Sequence, residues 1–262
     1  MTAEQARGAA LPNTVSGRKW PGVCYFSTTR EGGVSQPPYD SLNLGLHTGD
    51  DKQAVLQNRQ RLQSVLPAPI VWLEQVHGVD VYDADLDRAF LNDSLVRADA
   101  AITTSTEKAL AVMTADCLPV VLASARGEVI GVAHAGWRGL LNGVLENTLK
   151  QMRDKVAGND FYAWIGPAIG FDAFEVGQEV YDAFIKNDEK QALCFRTHPE
   201  KAGKWFADLS AIAAYRLRKN DVSAIEESKL CTYTNERKFF SYRRAAQTGR
   251  MVTVVWKTKP EA

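Results

Sequence analysis

Neither sign of charge dominates this sequence: 31 basic residues face 31 acidic ones, a formal net charge of zero. That removes the electrostatic footprint of a general nucleic-acid binder, whose affinity comes largely from neutralising phosphates. Cysteine is scarce too. The four cysteines, at 24, 117, 194 and 231, make no CxxC pair, so a disulfide framework is not expected and a reducing cytoplasm fits better. No apolar run reaches the roughly 18 to 20 residues needed to cross a bilayer. The first 17 residues, MTAEQARGAALPNTVSG, lack the apolar stretch of a secretion signal. The expectation is a cytoplasmic protein with a disordered tail over 1–17. Histidine is limited to four residues in the whole chain. A blue-copper centre takes two histidines and a cysteine, which leaves two for any further copper cluster. A multicopper, laccase-type electron relay is therefore disfavoured.

What the chain does have is a series of apolar runs of strand length. With 262 residues, 45% of them hydrophobic, it can bury a substantial core. WPGVCYFSTTR (20–30) predicts a strand with Val23, Tyr25 and Ser27 on one face. The Pro-, Gly-, Asn- and Asp-rich segment that follows, carrying Asn43 and His47, predicts an ordered loop of functional length. Asp51–Leu66 predicts a helix capped by Asp50 or Asp51. IVWLEQV, ending at His77-Gly78, predicts a strand with VDVYDAD as hairpin partner, and ADAAITT (98–104) another. Two further runs, Leu110–Ala123 (broken by Asp116 and Pro119) and Val129–Ala133, predict adjacent buried strands. Leu140–Val156 has helical spacing. FYAWIG reads as a strand, Val176–Ile185 and Ala207–Arg218 as helices, and MVTVVW as a last buried strand. The charged stretch between those two helices places Cys194 and His198 in surface-like surroundings. No repeat and no linker divides 18–262, so the reading is one α/β (α+β) domain with helices on a mixed sheet.

The chemistry concentrates on His77, Cys117 and His134. Each lies in or at the end of an apolar run beside Gly, Asp or Pro, where a strand meets a loop. Imidazole and thiolate are ligands that zinc favours, and three protein ligands with a fourth position open is the catalytic arrangement. A buried cysteine also serves packing alone. The same atoms permit a Cys117 nucleophile with His134 as its base, although His77 is surplus to that scheme. A metal-carrying interaction protein is the non-catalytic alternative.

Arginines form the second group. Arg30 follows a strand, Arg138 follows the tryptophan of AGWRG, and Arg243-Arg244 sit in FFSYRRAAQTGR with Arg250 at its end. Guanidinium forks bind phosphate or carboxylate in bidentate fashion, though most arginines are simply solvated or salt-bridged. Phe239, Phe240 and Tyr242 are stacking candidates that core packing explains equally well.

EQVHG, TADCLPV, VAHAGWRGL, the upstream TREGGVS with SLNLG, and the downstream WIGPAIG with CTYTNERKFFSYRR resemble the YfiH family over residues 20 to 257. Its members have been called laccase-domain proteins, polyphenol oxidases and purine nucleoside phosphorylases. The resemblance implies a layered α/β/β/α sandwich of mixed sheets. It puts zinc ligands on His77, Cys117 and His134, with copper as an alternative ion. It also implies phosphorolysis of adenosine, inosine and methylthioadenosine, some adenosine deamination, and in some members editing of a serine-bearing muropeptide precursor. With that chemistry, Arg30, Arg138 and Arg243-Arg244 become candidates for substrate and phosphate. Asn43 becomes one for ribose hydroxyls, and Asp116 one for orientation or proton transfer. The expected partners are a purine nucleoside and phosphate, with neither nucleic acid nor membrane.

Overall fold

Short apolar runs separated by tight turns fold here into stacked sheets, because each run is too short to do more than cross a sheet once. The computed structural model describes residues 13–86, 95–158 and 160–258. The first half contains β1 (Val23–Ser27), α1 (Lys52–Ser64), β2 (Ile70–Val71), β3 (Leu73–Glu74), β4 (Val81–Asp83) and β5 (Val96–Arg97). It continues through β6 (Ala100–Thr103), β7 (Ala109–Thr114), β8 (Leu118–Ser124) and β9 (Ile130–Ala135). Then come α2 (Trp137–Asn142), α3 (Val144–Arg153), β10 (Phe161–Ile165), β11 (Glu175–Gly177) and α4 (Gln178–Asn187). The chain closes with β12 (Phe195–Thr197), β13 (Lys204–Ala207), α5 (Leu209–Lys219), β14 (Val222–Glu227) and β15 (Met251–Lys257).

Two mixed sheets make the centre. One has the order β1-β15-β7-β2 and the other β14-β10-β8-β9-β6-β4. Their facing sides share one apolar layer, with Leu110, Val112 and Val255 from the first against Val121, Val132 and Trp164 from the second. On the outer side of the four-stranded sheet, Leu62 of α1 and Leu42 and Leu44 of the loop cover Ala111 and Val254. On the outer side of the six-stranded sheet, Leu140, Leu149, Val180 and Ile212 from the four remaining helices pack on Val120 and Ala133. The result is the α/β/β/α layering that the resemblance implied.

Several elements match the sequence reading closely. β1 buries Val23, Tyr25 and Ser27 as alternation requires. Asp51 caps α1 by accepting the Gln53 N–H. Others differ. Leu110–Ala123 is two strands in two different sheets, β7 and β8, joined by a turn at Asp116. IVWLEQV likewise divides at Trp72 into β2 and β3. β4 is no hairpin partner; it runs parallel to β6 at the edge of the larger sheet. The segment read as one helix over 140–156 is α2 plus α3, which meet at Gly143 with φ of 97°. Glycine takes that left-handed conformation without the steric penalty of a side chain.

The charged stretch forms β12 and β13, which with β11 make a small antiparallel sheet. Cys194 is buried there rather than surface-like, and burial, with the Asp208 carboxylate nearby, pushes its thiol up to about 11. Within the segment expected as a tail, Val15 exchanges two backbone hydrogen bonds with Ser27. Residues 1–12 of that tail lie outside the described residues. Among the described residues, no helix is long and apolar enough to cross a membrane.

Candidate metal centre

Three separate passes of the chain meet where the two sheets join. Cys117 occupies the turn by which β7 leaves the four-stranded sheet and β8 enters the six-stranded one. Asp116 makes that turn at φ of 92°. Its carboxylate accepts hydrogen bonds from Thr232 Oγ1 at 2.6 Å, Ser241 Oγ at 3.0 Å and the Arg243 N–H at 2.7 Å. His134 is on β9, opposite Pro119 of β8. His77 follows β3 in a left-handed conformation at φ of 60°. Just before it, the Gln75 side chain accepts from Met113 N and donates to Met113 O, at 2.7 and 2.9 Å, fastening the loop to β7.

The three donor atoms lie within 4.8 Å of one another, and Cys117 Sγ is 3.8 Å from His77 Nε2. The imidazole rings of His77 and His134 meet edge to face. Gly136 leaves room for this approach, since a β-carbon there would sit 3.0 Å from Cys117 Sγ and 3.4 Å from His77 Cδ2. His134 is buried, Cys117 half-buried and His77 exposed, so the group opens on the His77 side. Two nitrogens and a sulfur at this separation fit one borderline-soft ion such as zinc, with a position left for a further ligand.

Asp99 organises the group, and sequence reasoning missed it. It is fully buried on the step between β5 and β6. Its carboxylate contacts His134 Nδ1 at 2.8 Å and accepts the N–H groups of Val76, His77 and Gly78 at 3.1, 2.9 and 2.6 Å. One carboxylate thus orients an imidazole and the loop bearing another. The only sequence trace is an acid inside the apolar run ADAAITT.

The group is strongly coupled electrostatically. Burial alone would raise the Cys117 thiol, but the charge and hydrogen bond of His134, with help from His77, hold it down at about 6. Burial would lower His134, yet Cys117 and Asp99 lift it to about 9. Cys117 and His134 thus each favour the other's charged form, and a bound cation would take the proton's place.

The other expected site residues are placed differently. Asn43 is fully buried and saturated: it donates to Thr48 Oγ1 and Asp50 Oδ2 and accepts from the N–H of Gly45 and of Arg250. It holds its loop together and has nothing left for a ribose. Arg30 donates to Asp40 and to Glu236 O. Arg244 donates to the carbonyls of Thr232, Tyr233 and Phe239. Arg243 reaches Glu175 O at 3.0 Å and lies over Phe174. These guanidiniums rivet loops to one another rather than standing ready for phosphate. Arg138 is exposed and stacks on Trp137 at 4.6 Å. Asp116, with three donors on its carboxylate, anchors the turn and is not poised for proton transfer. Phe239 and Phe240 are core, whereas Tyr242 is 57% exposed.

A sequence profile described as multi-copper polyphenol oxidoreductase laccase matches residues 24–258. Purine nucleoside phosphorylase YfiH of Escherichia coli (strain K12) is 46% identical over 243 residues, 91% of this chain and 96% of that protein. The chain belongs to the YfiH family. A purine nucleoside phosphorylase of Pseudomonas aeruginosa is 44% identical, covering 87% of this YfiH-family chain and 91% of its own. Among solved structures, a Neisseria meningitidis protein of the DUF152 family superimposes with a TM-score of 0.87 at 41% identity, over 94% of this chain and 99% of that one. YlmD from Geobacillus stearothermophilus gives 0.82 at 33% identity, over 91% and 93%. Of the four histidines, His47 and His198 are outside the donor group.

Proposed function

We propose that this YfiH-family chain is a zinc-dependent purine nucleoside phosphorylase. Its substrates are adenosine, inosine and methylthioadenosine, and adenosine deamination is a side activity. One observation carries the reading: the His77–Cys117–His134 donor group, open on one side, in a chain 46% identical to a protein named purine nucleoside phosphorylase.

His77, Cys117 and His134 would hold the zinc, which would supply Lewis acidity when bound. The chain's own residues do the rest. Asp99 takes the Nδ1 side of His134 and so leaves Nε2 for the centre, fixing the tautomer. Through the N–H groups of residues 76 to 78 it also fixes the backbone of His77. Val76 beside His77, and Tyr242 beside the Asp116 anchor, are exposed apolar surfaces of the kind a purine ring covers. In phosphorolysis the C1′–N9 bond breaks and its electron pair leaves with the purine, which takes up a proton. A phosphate oxygen forms the new bond to C1′, giving ribose 1-phosphate.

A second reading has a specific observation in its favour. Asp99, His134 and Cys117 form an acid–imidazole–thiol series resembling that of a cysteine hydrolase. It would suit an amidase acting on a muropeptide precursor. His77 has no role in that scheme, which ranks it second.

The deciding experiment incubates the protein with adenosine or inosine, with and without phosphate. Ribose 1-phosphate formed only with phosphate supports the proposal. If neither adenine nor inosine appears from adenosine, the nucleoside reading is wrong. Chelation abolishes the metal-dependent activity and spares a pure thiol mechanism.

A further inference from the structure

Two half-buried arginines, Arg59 and Arg250, hold backbone carbonyls but have no carboxylate partner among the described residues. Arg59 of α1 lies 3.8 Å over the Trp72 ring, donates from Nε to Leu44 O at 2.9 Å, and touches Met113 Sδ with Nη2. Arg250, just before β15, donates from Nη1 to Thr248 O and Gly249 O. Its stem covers Gly45, where a β-carbon would come within 2.8 Å of Arg250 Cγ. Both side chains therefore clasp the same turn, Leu44–Gly45, and that turn carries the exposed His47. Elsewhere Arg30 pairs with Asp40, Arg196 with Asp172 and Arg216 with Glu146. Among the described residues, neither Arg59 nor Arg250 pairs with a carboxylate.

This is a costly arrangement for a folded chain. Burial lowers Arg59 to about 10 and lowers Arg250 as well, which means that both lose part of their hydration. His47 is pulled down by burial and then by the charges of Arg250 and Arg59, so all three basic groups face one region. Desolvated like charges with no carboxylate in direct contact are unfavourable, and an anion arriving from solvent relieves them.

The register places this cluster beside the centre. Met251 pairs with Thr114 at the end of the β15–β7 ladder. One step further sets Arg250 beside Ala115, next to the Asp116–Cys117 turn. Met113, which Arg59 touches, is two residues back along the same strand. The field of Arg250 is felt at Cys117 and Asp116.

We infer that Arg59 and Arg250, with His47 at the rim, form the subsite that binds inorganic phosphate next to the His77–Cys117–His134 group. The inference rests on the proposed phosphorolysis for its role but not for its existence, because guanidiniums that no contacting carboxylate neutralises can bind a tetrahedral dianion whether or not turnover follows.

The test titrates the metal-loaded protein with orthophosphate, reading thermal stabilisation and ³¹P line broadening, and repeats it with adenosine 5′-monophosphate. Arg59→Gln, Arg250→Gln and the charge-preserving Arg59→Lys and Arg250→Lys are compared with Arg126→Gln, which changes an exposed arginine in the β8–β9 hairpin. Orthophosphate should bind the native protein, and each Gln variant should bind it about tenfold more weakly or worse, as loss of a charged hydrogen-bonding partner implies. The Lys variants should fall between, and Arg126→Gln should match the native protein. In turnover, KM for phosphate should rise with KM for the nucleoside within about twofold, as loss of contact with only one substrate requires. If a Gln variant does not fold, the Lys pair carries the comparison. Unchanged phosphate affinity in the folded variants overturns the subsite, as does a native protein that binds the nucleotide and ignores orthophosphate. Phosphate binding by these residues without any phosphorolysis leaves the subsite standing and removes the proposed activity instead.

Discussion

His134 Nδ1 and the backbone N–H of His77 meet the same oxygen, Oδ1 of Asp99, at 2.8 and 2.9 Å. Two of the three donor residues are thus indexed to a single atom that is not itself one of the donors. Asp99→Ala leaves all three donor side chains in the chain and removes what aligns them. Loss of such a supporting carboxylate weakens metal binding on the order of 10- to 100-fold. Competition against a chromogenic chelator measures it, and an unchanged affinity would show that the donors align themselves.

His77 is exposed while His134 is buried, and the two should respond differently to truncation. His77→Ala is expected to lose the bound metal at little cost to folding, because an exposed side chain contributes little packing. His134→Ala should lose metal and also destabilise the fold, since it strands the buried Asp99 carboxylate. Metal stoichiometry by mass spectrometry alongside denaturant melts separates the two effects.

Asp116 is expected to matter for stability before chemistry. Asp116→Ala strips acceptors from Thr232, Ser241 and the Arg243 N–H and puts a β-carbon residue without polar compensation at a positive φ. A loss of about 3 kcal/mol follows from stranding several buried donors. Urea denaturation tests it; a melt matching the native protein would mean that the anchor is dispensable.

Acid should act partly through Asp85. Burial raises its pKa, but hydrogen bonds from Thr103 and Thr104 and the nearby Lys155 outweigh that and take it down to about 2 from 3.8. A depressed carboxylate contributes stability that is complete above the unfolded value and is lost as pH falls through the folded one. The window is therefore from about pH 4 down to about pH 2, and the contribution is about 2 kcal/mol. Asp85→Asn should be less stable than the native protein at neutral pH and should show a smaller further decline across that window. Denaturant melts at stepped pH check both.

The sequence revealed strands where apolar runs were bounded by turns, as in β1, β9, β10 and β15, and a helix where Asp51 supplied a cap. It concealed the change of sheet at Asp116. Both central sheets are covered on both sides, so β7 and β8 are buried at every position and periodicity carries no mark of the crossing. β14, half-exposed at a sheet edge with polar ends, and the small sheet around β13 were concealed for the opposite reason. At the site, the donor trio could be picked out by side-chain chemistry alone. Asp99 could not, because its value lies in four contacts made across 21 to 35 residues of chain. The arginines' partners were hidden as well, because position next to glycine says nothing about which guanidinium a carbonyl already occupies.

Because Cys117 stands on the strand crossing between the two sheets, the donor set exists only while those sheets are closed on each other. An ion held there would act as a clasp across the sandwich, and its escape rate would report how often the layers part. In that sense the reactive corner is also the molecule's own gauge of whether it is fully folded.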